Sequence, residues 1–233
     1  MKAAKTFLKF ILIMLSTMAF TACSGDTWKE EVLLHDGQKI IVERSQSYGG
    51  RSEPGKSSTV KEHRISFTSP GSKERLTWTS EYGEDLGRAN FNLLAVHVLA
   101  GTPYLLAEPN LCLSYNKWGR PNPPYIIFKY ADRAWQRIDI KEFPVEFKTF
   151  NVINNNSRLL DIRKLQTGQG YVPAAGVQEI NSSLQQPEYR SILREPLSKG
   201  RIVEMCGDRV LYKGHWIVPN SPTAKAIIDA QQK

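Results

Sequence analysis

The stretch FNLLAVHVLAGTPYLLA, residues 91–107, contains two nearly continuous apolar runs. Phe91 to Leu99 forms the first run and Tyr104 to Ala107 the second, and the turn sequence Ala100-Gly101-Thr102-Pro103 separates them. Apolar runs of this length, without regular alternation, are typical of strands buried on both faces. We therefore predict a central β-hairpin at this point of the chain.

Three further strand pairs are predicted around it. They are Glu31 to Leu34 with Lys39 to Arg44 around Asp36-Gly37, His63 to Thr68 with Arg75 to Thr79 around Ser69-Pro70-Gly71, and Tyr125 to Tyr130 with Ala134 to Ile140 around Ala131-Asp132-Arg133. In the second pair Ile65 and Phe67 alternate with polar residues, which indicates a sheet with one solvated face. The polar segment from Tyr48 to Glu62 is predicted to be a mobile loop.

After Phe143-Pro144 the pattern changes to short helices and strands. Helices are predicted from an N-cap at Ser157 to Leu165, over Gly176 to Leu184, from Pro187 to Pro196 and from Ser221-Pro222 onward, and strands over Ile202 to Met205, Val210 to Lys213 and His215 to Val218. The fold class expected is α+β, predominantly an antiparallel hairpin meander, with short helices in the C-terminal third. Residues 29–145 form the β-hairpin-rich region, and residues 146–233 complete the same domain. No blade motif recurs at a fixed period, so a propeller is not favoured.

The first residues are typical of a secretory signal. Lys2, Lys5 and Lys9 precede or interrupt an apolar stretch that ends at Phe20, too short and too interrupted for a spanning helix. Ordinary signal cleavage after Ala22 would place Phe20 at a position that requires a small residue. The alternative is that Cys23 is a buried structural residue in an uncleaved anchor.

Residues 20–23, Phe-Thr-Ala-Cys, resemble a bacterial lipobox. The resemblance implies a signal peptide at residues 1–22, lipidation of Cys23 and a lipidated tether at residues 23–28. Membrane attachment would then occur through the N-terminal lipid. Because Ser24 rather than Asp follows the cysteine, the resemblance also implies an outer-membrane lipoprotein that faces the periplasm, with exposure on the cell surface left open.

The charge is positive but dispersed. The formal charge of the 233-residue chain is +8, and loss of the three signal lysines leaves 8 − 3 = +5. A solubilising surface explains this better than attraction to anionic lipid or polysaccharide, and nucleic acid is not an expected partner. Cys112 and Cys206 form an even pair in an exported chain, which suggests a disulfide, with two buried free thiols as an equal alternative.

The segment from Asn110 to Tyr125 combines aromatic, cationic and amide side chains with three prolines, which favours an extended, rigid recognition loop. The predicted partner-binding residues are Tyr115, Lys117, Trp118, Arg120 and Tyr125. The alternative is that Trp118 and Tyr115 pack down and cap the sheet. This segment, with Trp28 to Ser47, resembles an uncharacterised group of proteobacterial lipoproteins over most of residues 27–145, and no activity comes with that resemblance.

Motifs of catalysis are missing from the sequence. It has four histidines but no HExxH, no GxSxG and no phosphate-binding loop, so we expect no catalytic set, no metal and no cofactor. His97 is expected in the core and His35 at an exposed turn. The carboxylates Glu81, Glu84 and Asp85 suit a solvated turn better than acid–base chemistry on a sugar.

The function expected from these features is that of a membrane-anchored envelope lipoprotein with a non-catalytic binding or scaffolding role towards an envelope protein or a polysaccharide. One alternative is an envelope hydrolase that acts on polysaccharide or peptidoglycan. The other is an inhibitor lipoprotein that binds an exported protein.

Overall fold

The computed structural model describes residues 25–52, 55, 58–154, 159–166, 168–198, 200–201 and 206–230. The predicted signal peptide, Cys23, the N-cap Ser157 and the predicted strand from Ile202 to Met205 lie outside these residues. Residues 25–28, predicted as part of a tether, belong instead to the first strand. The reason is that Trp28 is buried in the core, at 4% exposure.

Two four-stranded antiparallel sheets, each a meander, make up the fold. The first contains, in order, β1 (Gly25–Leu33), β2 (Lys39–Gly50), β3 (Thr59–Thr68) and β4 (Arg75–Thr79). After the short pair β5 (Tyr82–Gly83) and β6 (Arg88–Ala89), the second contains β7 (Phe91–Leu99), β8 (Thr102–Pro109), β9 (Ile126–Ala131) and β10 (Ala134–Ile138). The four predicted hairpins and the mainly β, α+β fold class are confirmed.

The first sheet has one buried face, as its alternation predicted. Val32, Val42 and Ile65 lie on that face and are fully buried. They share one hydrophobic core with side chains of the second sheet, among them Leu93 and Leu105. At the β1–β2 turn, Asp36 accepts a hydrogen bond from the backbone N–H of Gln38 at 3.0 Å, which fixes the hairpin register.

The strands β7 and β8 of the second sheet are buried on both faces, which explains their nearly continuous apolar sequence. Leu105 and Ala107 of β8 face the core shared with the first sheet. Leu106, on the opposite face, belongs to a second cluster closed by Phe143 and Phe147 from the chain after β10. A strand between two apolar layers needs apolar side chains in both directions.

Short helices cover the ends and edges of the sheets. They are α1 (Leu111–Lys117), a 3-10 turn (Ile140–Glu142), α2 (Leu159–Leu165), α3 (Ala174–Asn181), α4 (Pro187–Arg190) and α5 (Pro222–Ala230), with β11 (Val210–Tyr212) pairing with β12 (His215–Ile217) before α5. α2 and α3 pack Ile162 and Ile180 around Trp28. Val172 pairs with the outer edge of β1, so this strand edge is covered.

Four expectations about local structure are wrong. The predicted loop from Tyr48 to Glu62 is shorter, because β2 continues to Gly50 and β3 begins at Thr59. The segment from Asn110 to Tyr125 starts with a helix, α1, rather than an extended loop.

The third predicted helix ends at Arg190 instead of Pro196, since Ser191 is extended. His35 is partly buried against the ring of Phe147, at 5.0 Å between centroids. Among the described residues, no helix is long and apolar enough to cross a membrane.

A buried ion pair joins the first sheet to the chain that follows the second. The carboxylate of Glu30 accepts hydrogen bonds from Arg44 Nη1 at 3.2 Å, Trp28 Nε1 at 2.5 Å and Ile153 N at 3.0 Å. Both charged side chains are at most 1% exposed. The carboxylate has partners on both oxygens, whereas Nε and Nη2 of Arg44 have none among the described residues. The hydrogen bonds of both side chains to Ile153 specify how residues 150–154 dock on the sheet.

Candidate functional site

Polar side chains gather where β2 ends, β3 and β7 begin and β8 ends. Two adjoining pockets open there and share Asn92, Glu108 and Tyr189 in their walls. We call the pair the Glu108 cleft. Asn92 and Glu108 stand directly opposite each other in the β7–β8 ladder, so the hairpin register brings them together.

The first part, which we call the acidic pocket, has a volume of about 370 Å³. Glu108, Glu188 and Tyr189 line it together with Tyr115 and Arg201. The half-cystines Cys112 and Cys206 also lie in its wall. α1, α4 and the C-terminal segment therefore each contribute a side to this pocket.

The second part, which we call the amide pocket, is larger, at about 750 Å³. Its walls carry uncharged hydrogen-bonding groups, including Gln46, Tyr48, His63 and Asn154, and one cation, Arg88. Pockets of a few hundred cubic ångströms that combine apolar walls with convergent polar groups are the usual sites of small ligands. Each of the two pockets falls in this size range.

Glu108 stands at the junction of the two pockets. Its Oε2 accepts a hydrogen bond from Tyr189 Oη at 2.6 Å, and its Oε1 accepts one from Asn92 Nδ2 at 3.2 Å. Burial raises the pKa of the Glu108 carboxyl to about 7, against the lowering effect of these two hydrogen bonds, and the nearby carboxylate of Glu188 raises it further. Near neutral pH this carboxyl therefore exists in both protonation states.

Glu188 is the second carboxylate of the acidic pocket. Its side chain is 5% exposed, and its Oε2 lies 3.5 Å from Arg201 Nη2. The backbone carbonyl of the same residue accepts a hydrogen bond from Tyr125 Oη at 2.8 Å, which ties α4 to the start of β9. Burial raises the pKa of the Tyr125 hydroxyl, so this phenol stays protonated and keeps donating.

His63 contributes a neutral imidazole to the amide pocket. It is 3% exposed, and burial, helped by the positive charge of Arg44, lowers its pKa to about 3. At neutral pH the ring therefore offers one donor and one acceptor rather than a charge.

Several buried polar atoms of the cleft have no hydrogen-bond partner among the residues that the structure describes. They are Tyr115 Oη and Arg201 Nε in the acidic pocket, and Gln46 Oε1 and both side-chain polar atoms of Asn154 in the amide pocket. Tyr115 and Gln46 are each only 3% exposed. Buried polar atoms are normally paired, and five of the twelve unpaired ones among the described residues line this cleft. A bound molecule or water could complete their hydrogen bonds together.

The predicted partner-binding residues lie beside this cleft, but most of them point into the protein. Tyr115 and Tyr125 are buried, at 3% and 6% exposure. The ring of Trp118 packs on Phe91 at 4.6 Å, and its Nε1 donates to Asn90 Oδ1 at 3.3 Å. This is the arrangement required by the alternative interpretation, in which Trp118 caps the sheet.

The two cations of the predicted set are engaged in local ion pairs. Lys117 Nζ lies 2.6 Å from Asp85 Oδ1, and Arg120 Nε lies 3.0 Å from Asp208 Oδ1. The guanidinium of Arg120 also covers the ring of Tyr115 at 5.1 Å. Partner binding by these residues stays a prediction. In the structure Arg120 holds the end of α1 to the C-terminal segment, and Lys117 holds α1 to the turn between β5 and β6.

Cys112 and Cys206 lie at disulfide distance, with the sulfur atoms 2.19 Å and the Cα atoms 5.2 Å apart. They join α1 to the C-terminal segment at the wall of the acidic pocket. Their spatial proximity, which the even cysteine count alone could not establish, thus agrees with the predicted pairing.

The other residues considered in the sequence do not assemble into a second site. Glu81 and Glu84 are exposed at a turn, and Asp85 pairs with Lys117. His97 is buried, with Nε2 3.0 Å from the carbonyl of Thr149 and its ring stacked on Phe147. Within the described ranges, no group of three or more potential ligands could hold a metal ion.

Sequence reasoning missed Glu108, Asn92, Glu188 and Tyr189 as site residues. A signal for the first two was present, because Asn92 and Glu108 interrupt otherwise apolar strands at the open end of the predicted hairpin. Glu188 and Tyr189 carry no comparable signal, since their position depends on how α4 docks.

Comparisons with known proteins give no relative for this chain: no family model matches it, and neither a curated protein nor a solved structure is significantly similar.

Proposed function

We propose that this protein is a lipid-anchored protein of the cell envelope that binds a small polar ligand in the Glu108 cleft without transforming it. The observation that carries the proposal is the set of unpaired polar atoms in the cleft walls. An unpaired buried polar group costs about 1–3 kcal/mol, so a protein retains several of them together where a ligand completes their hydrogen bonds.

The envelope part of the proposal rests on the N-terminal sequence. A lipid on Cys23 would lie two residues before β1, which begins at Gly25. The cleft would therefore be held close to the membrane surface, with no long flexible tether. The Cys112–Cys206 pair at disulfide distance supports an oxidising compartment.

Hydrolysis of a glycosidic bond is the second candidate, because two carboxylates line one pocket. Glu108, with a pKa of about 7, is partly protonated near neutral pH, as a general acid must be. Glu188 is less suited to activate water, because its side chain is buried and faces Arg201. Binding without turnover is therefore favoured. Release of reducing ends from a peptidoglycan or glycan suspension, abolished by Glu108→Gln, would establish the hydrolase instead.

An inhibitor of an exported protein has weaker support. That function needs an exposed recognition surface, and the aromatic residues predicted for it are buried or packed on the sheet. A small-molecule site needs only the concave surface that is present.

The test uses a tryptophan to fill the cleft. Leu184 lies in the wall of the amide pocket, whereas Leu160 of α2 is 73% exposed and provides the same substitution outside the cleft. Full-length protein purified in detergent is incubated with the small-molecule fraction of the cell envelope and analysed by native mass spectrometry. We expect a discrete mass increment for wild type and Leu160→Trp that is absent from Leu184→Trp.

Two results would contradict the proposal. One is that wild type carries no small-molecule increment. The other is that the increment is identical in the folded Leu184→Trp protein, since the bound molecule would then lie elsewhere.

A further inference from the structure

The charges of the acidic pocket are unbalanced. Two carboxylates, Glu108 and Glu188, face one cation, Arg201, which lies on Glu188. No lysine or arginine of the described residues forms an ion pair with Glu108. The chain as a whole carries a formal charge of +8, so the excess of carboxylates in this pocket is opposite in sign to the net charge of the chain.

Glu108 has capacity for a further donor. Each carboxylate oxygen can accept two hydrogen bonds, and Tyr189 and Asn92 supply one each. The side chain is partly exposed and lines both pockets, so the remaining positions can be reached from the cleft.

Other acceptors in the walls are independent of this carboxylate. Tyr115 Oη, buried and without a partner, lines the acidic pocket, and Gln46 Oε1 is an unpaired acceptor in the adjoining one. An ammonium group carries three donors and no acceptor, which matches the unused acceptor capacity of the carboxylate. The unpaired donor Arg201 Nε in the same pocket would pair with an acceptor, such as a hydroxyl, elsewhere on the ligand.

We infer that the ligand of the Glu108 cleft carries a primary ammonium group that forms an ion pair with the Glu108 carboxylate in the acidic pocket. This inference rests on the proposed binding function of the cleft. Amino sugars, sugar-alcohol amines and aliphatic polyamines all carry such an ammonium group.

Proton linkage gives the inference a characteristic pH dependence. A cation next to Glu108 favours the ionised carboxylate, so binding below about pH 7 must release a proton. Affinity for an amine should therefore rise as the pH increases from 5 to 7 and then level off. Among the titratable groups that face Glu108, His63 has a pKa of about 3, and the pKa values of Tyr125 and Tyr189 are raised above that of free tyrosine. Glu188, paired with Arg201, is the other carboxylate of the acidic pocket.

The experiment compares glucamine with sorbitol, which differ only by an amine in place of one hydroxyl. Isothermal titration calorimetry on full-length protein in detergent gives both affinities between pH 5 and 8. Because hydrogen bonds to charged groups contribute about 1.5–3 kcal/mol, we expect glucamine to bind at least about tenfold more tightly than sorbitol at pH 7.5. Cadaverine, a diamine without hydroxyls, is the third probe. Its affinity relative to glucamine distinguishes a polyamine from a hydroxylated amine.

Glu108→Gln should bring the glucamine-to-sorbitol preference to within about twofold and remove its pH dependence, as expected for loss of one ion pair. Glu84→Gln, the same change at an exposed site, should leave both unchanged. If Glu108→Gln does not fold, the wild-type preference must still decrease on acidification from pH 7 to 5.

Equal affinities for glucamine and sorbitol would overturn the inference while leaving the proposed binding function intact. So would a preference that Glu108→Gln retains. If no probe binds and the envelope fraction also gives no mass increment, both the inference and the proposed function fail.

Discussion

Single side chains around the cleft differ in what they contribute to stability and to function. The Glu30 carboxylate has hydrogen-bond partners on both oxygens in the core, whereas Tyr115 and Gln46 leave polar atoms unpaired beside the cleft. Residues of the second kind stabilise the folded chain less than apolar residues of the same shape. Substitutions of Tyr115 or Gln46 that remove the unpaired atom should therefore weaken ligand binding without lowering the free energy of unfolding.

Tyr115→Phe tests this separation most directly, because it removes only the unpaired hydroxyl. The ring still packs under Arg120, so the free energy of unfolding should be unchanged or higher by up to about 1 kcal/mol. Ligand affinity, measured by calorimetry, should decrease. Tyr130→Phe, which removes a hydroxyl bonded to Glu74 outside the cleft, serves as the control. A clear loss of stability in Tyr115→Phe would show that its hydroxyl has a structural partner.

Trp118→Ala addresses the predicted recognition surface. The indole packs on Phe91 and donates to Asn90, so we expect urea unfolding to show a loss of about 2–4 kcal/mol. Trp118→Phe, which keeps an aromatic ring there, should lose less. If Trp118→Ala has the stability of wild type but no longer captures an envelope partner, the residue is a binding contact after all.

At the scale of elements, the C-terminal segment is held to α1 by several independent contacts. Cys206 lies at disulfide distance from Cys112, and Arg120 Nη2 donates to the carbonyl of Cys206 at 2.9 Å. Asn116 Nδ2 donates to the carbonyl of Gly207 at 3.1 Å. The acidic pocket depends on this attachment, since Arg201 and Cys206 form one of its walls.

Removal of the disulfide should therefore affect both stability and the cleft. The two cysteines are 94 residues apart in sequence, and loss of a bridge of that span commonly costs about 2–5 kcal/mol. We expect Cys112→Ser with Cys206→Ser to lower the melting temperature and weaken ligand binding. Wild type under reductant should behave in the same way. Quantitative labelling of both thiols in unreduced, denatured wild-type protein would show that no bridge forms.

For the molecule as a whole, two buried neutral histidines determine the response to acid. Burial lowers the pKa of His63 to about 3 and that of His97 to about 4, whereas an unfolded histidine titrates near about 6.5. The unfolded chain therefore binds more protons below pH 6.5, and stability falls with the pH. Glu108 opposes this between about pH 4.5 and 7, because its raised pKa makes the folded state the better proton acceptor there.

Each histidine should lower the free energy of unfolding, measured with urea, by up to about 1.4 kcal/mol per pH unit as the pH decreases from 6.5 to 5, and the raised pKa values of the Glu108 and Glu30 carboxyls should offset part of this loss. His97→Phe keeps a ring beside Phe147 and removes one titrating group, so its stability should decrease less on acidification than that of wild type. The same pH dependence in wild type and His97→Phe would contradict the assignment of His97 as a buried neutral histidine.

The sequence by itself determined the strand pairs. Alternating residues such as Ile65 and Phe67, the turn at Asp36-Gly37 and the apolar run at residues 91–107 are local patterns, and the strands form where these patterns predict them. The central position of the hairpin β7–β8 could also be predicted, because a strand between two apolar layers must be apolar on both sides.

Only the tertiary structure decided which polar residues meet. Glu188 and Tyr189 reach Glu108 because α4 docks beside the end of β8. Tyr189 and Glu108 are 81 residues apart in the sequence. Trp118 and Tyr125 have the composition of a recognition surface, but burial against Phe91 and α4 was the more stable use of their apolar rings. The site depends on contacts between residues that are distant in sequence, so no short stretch of sequence predicts it.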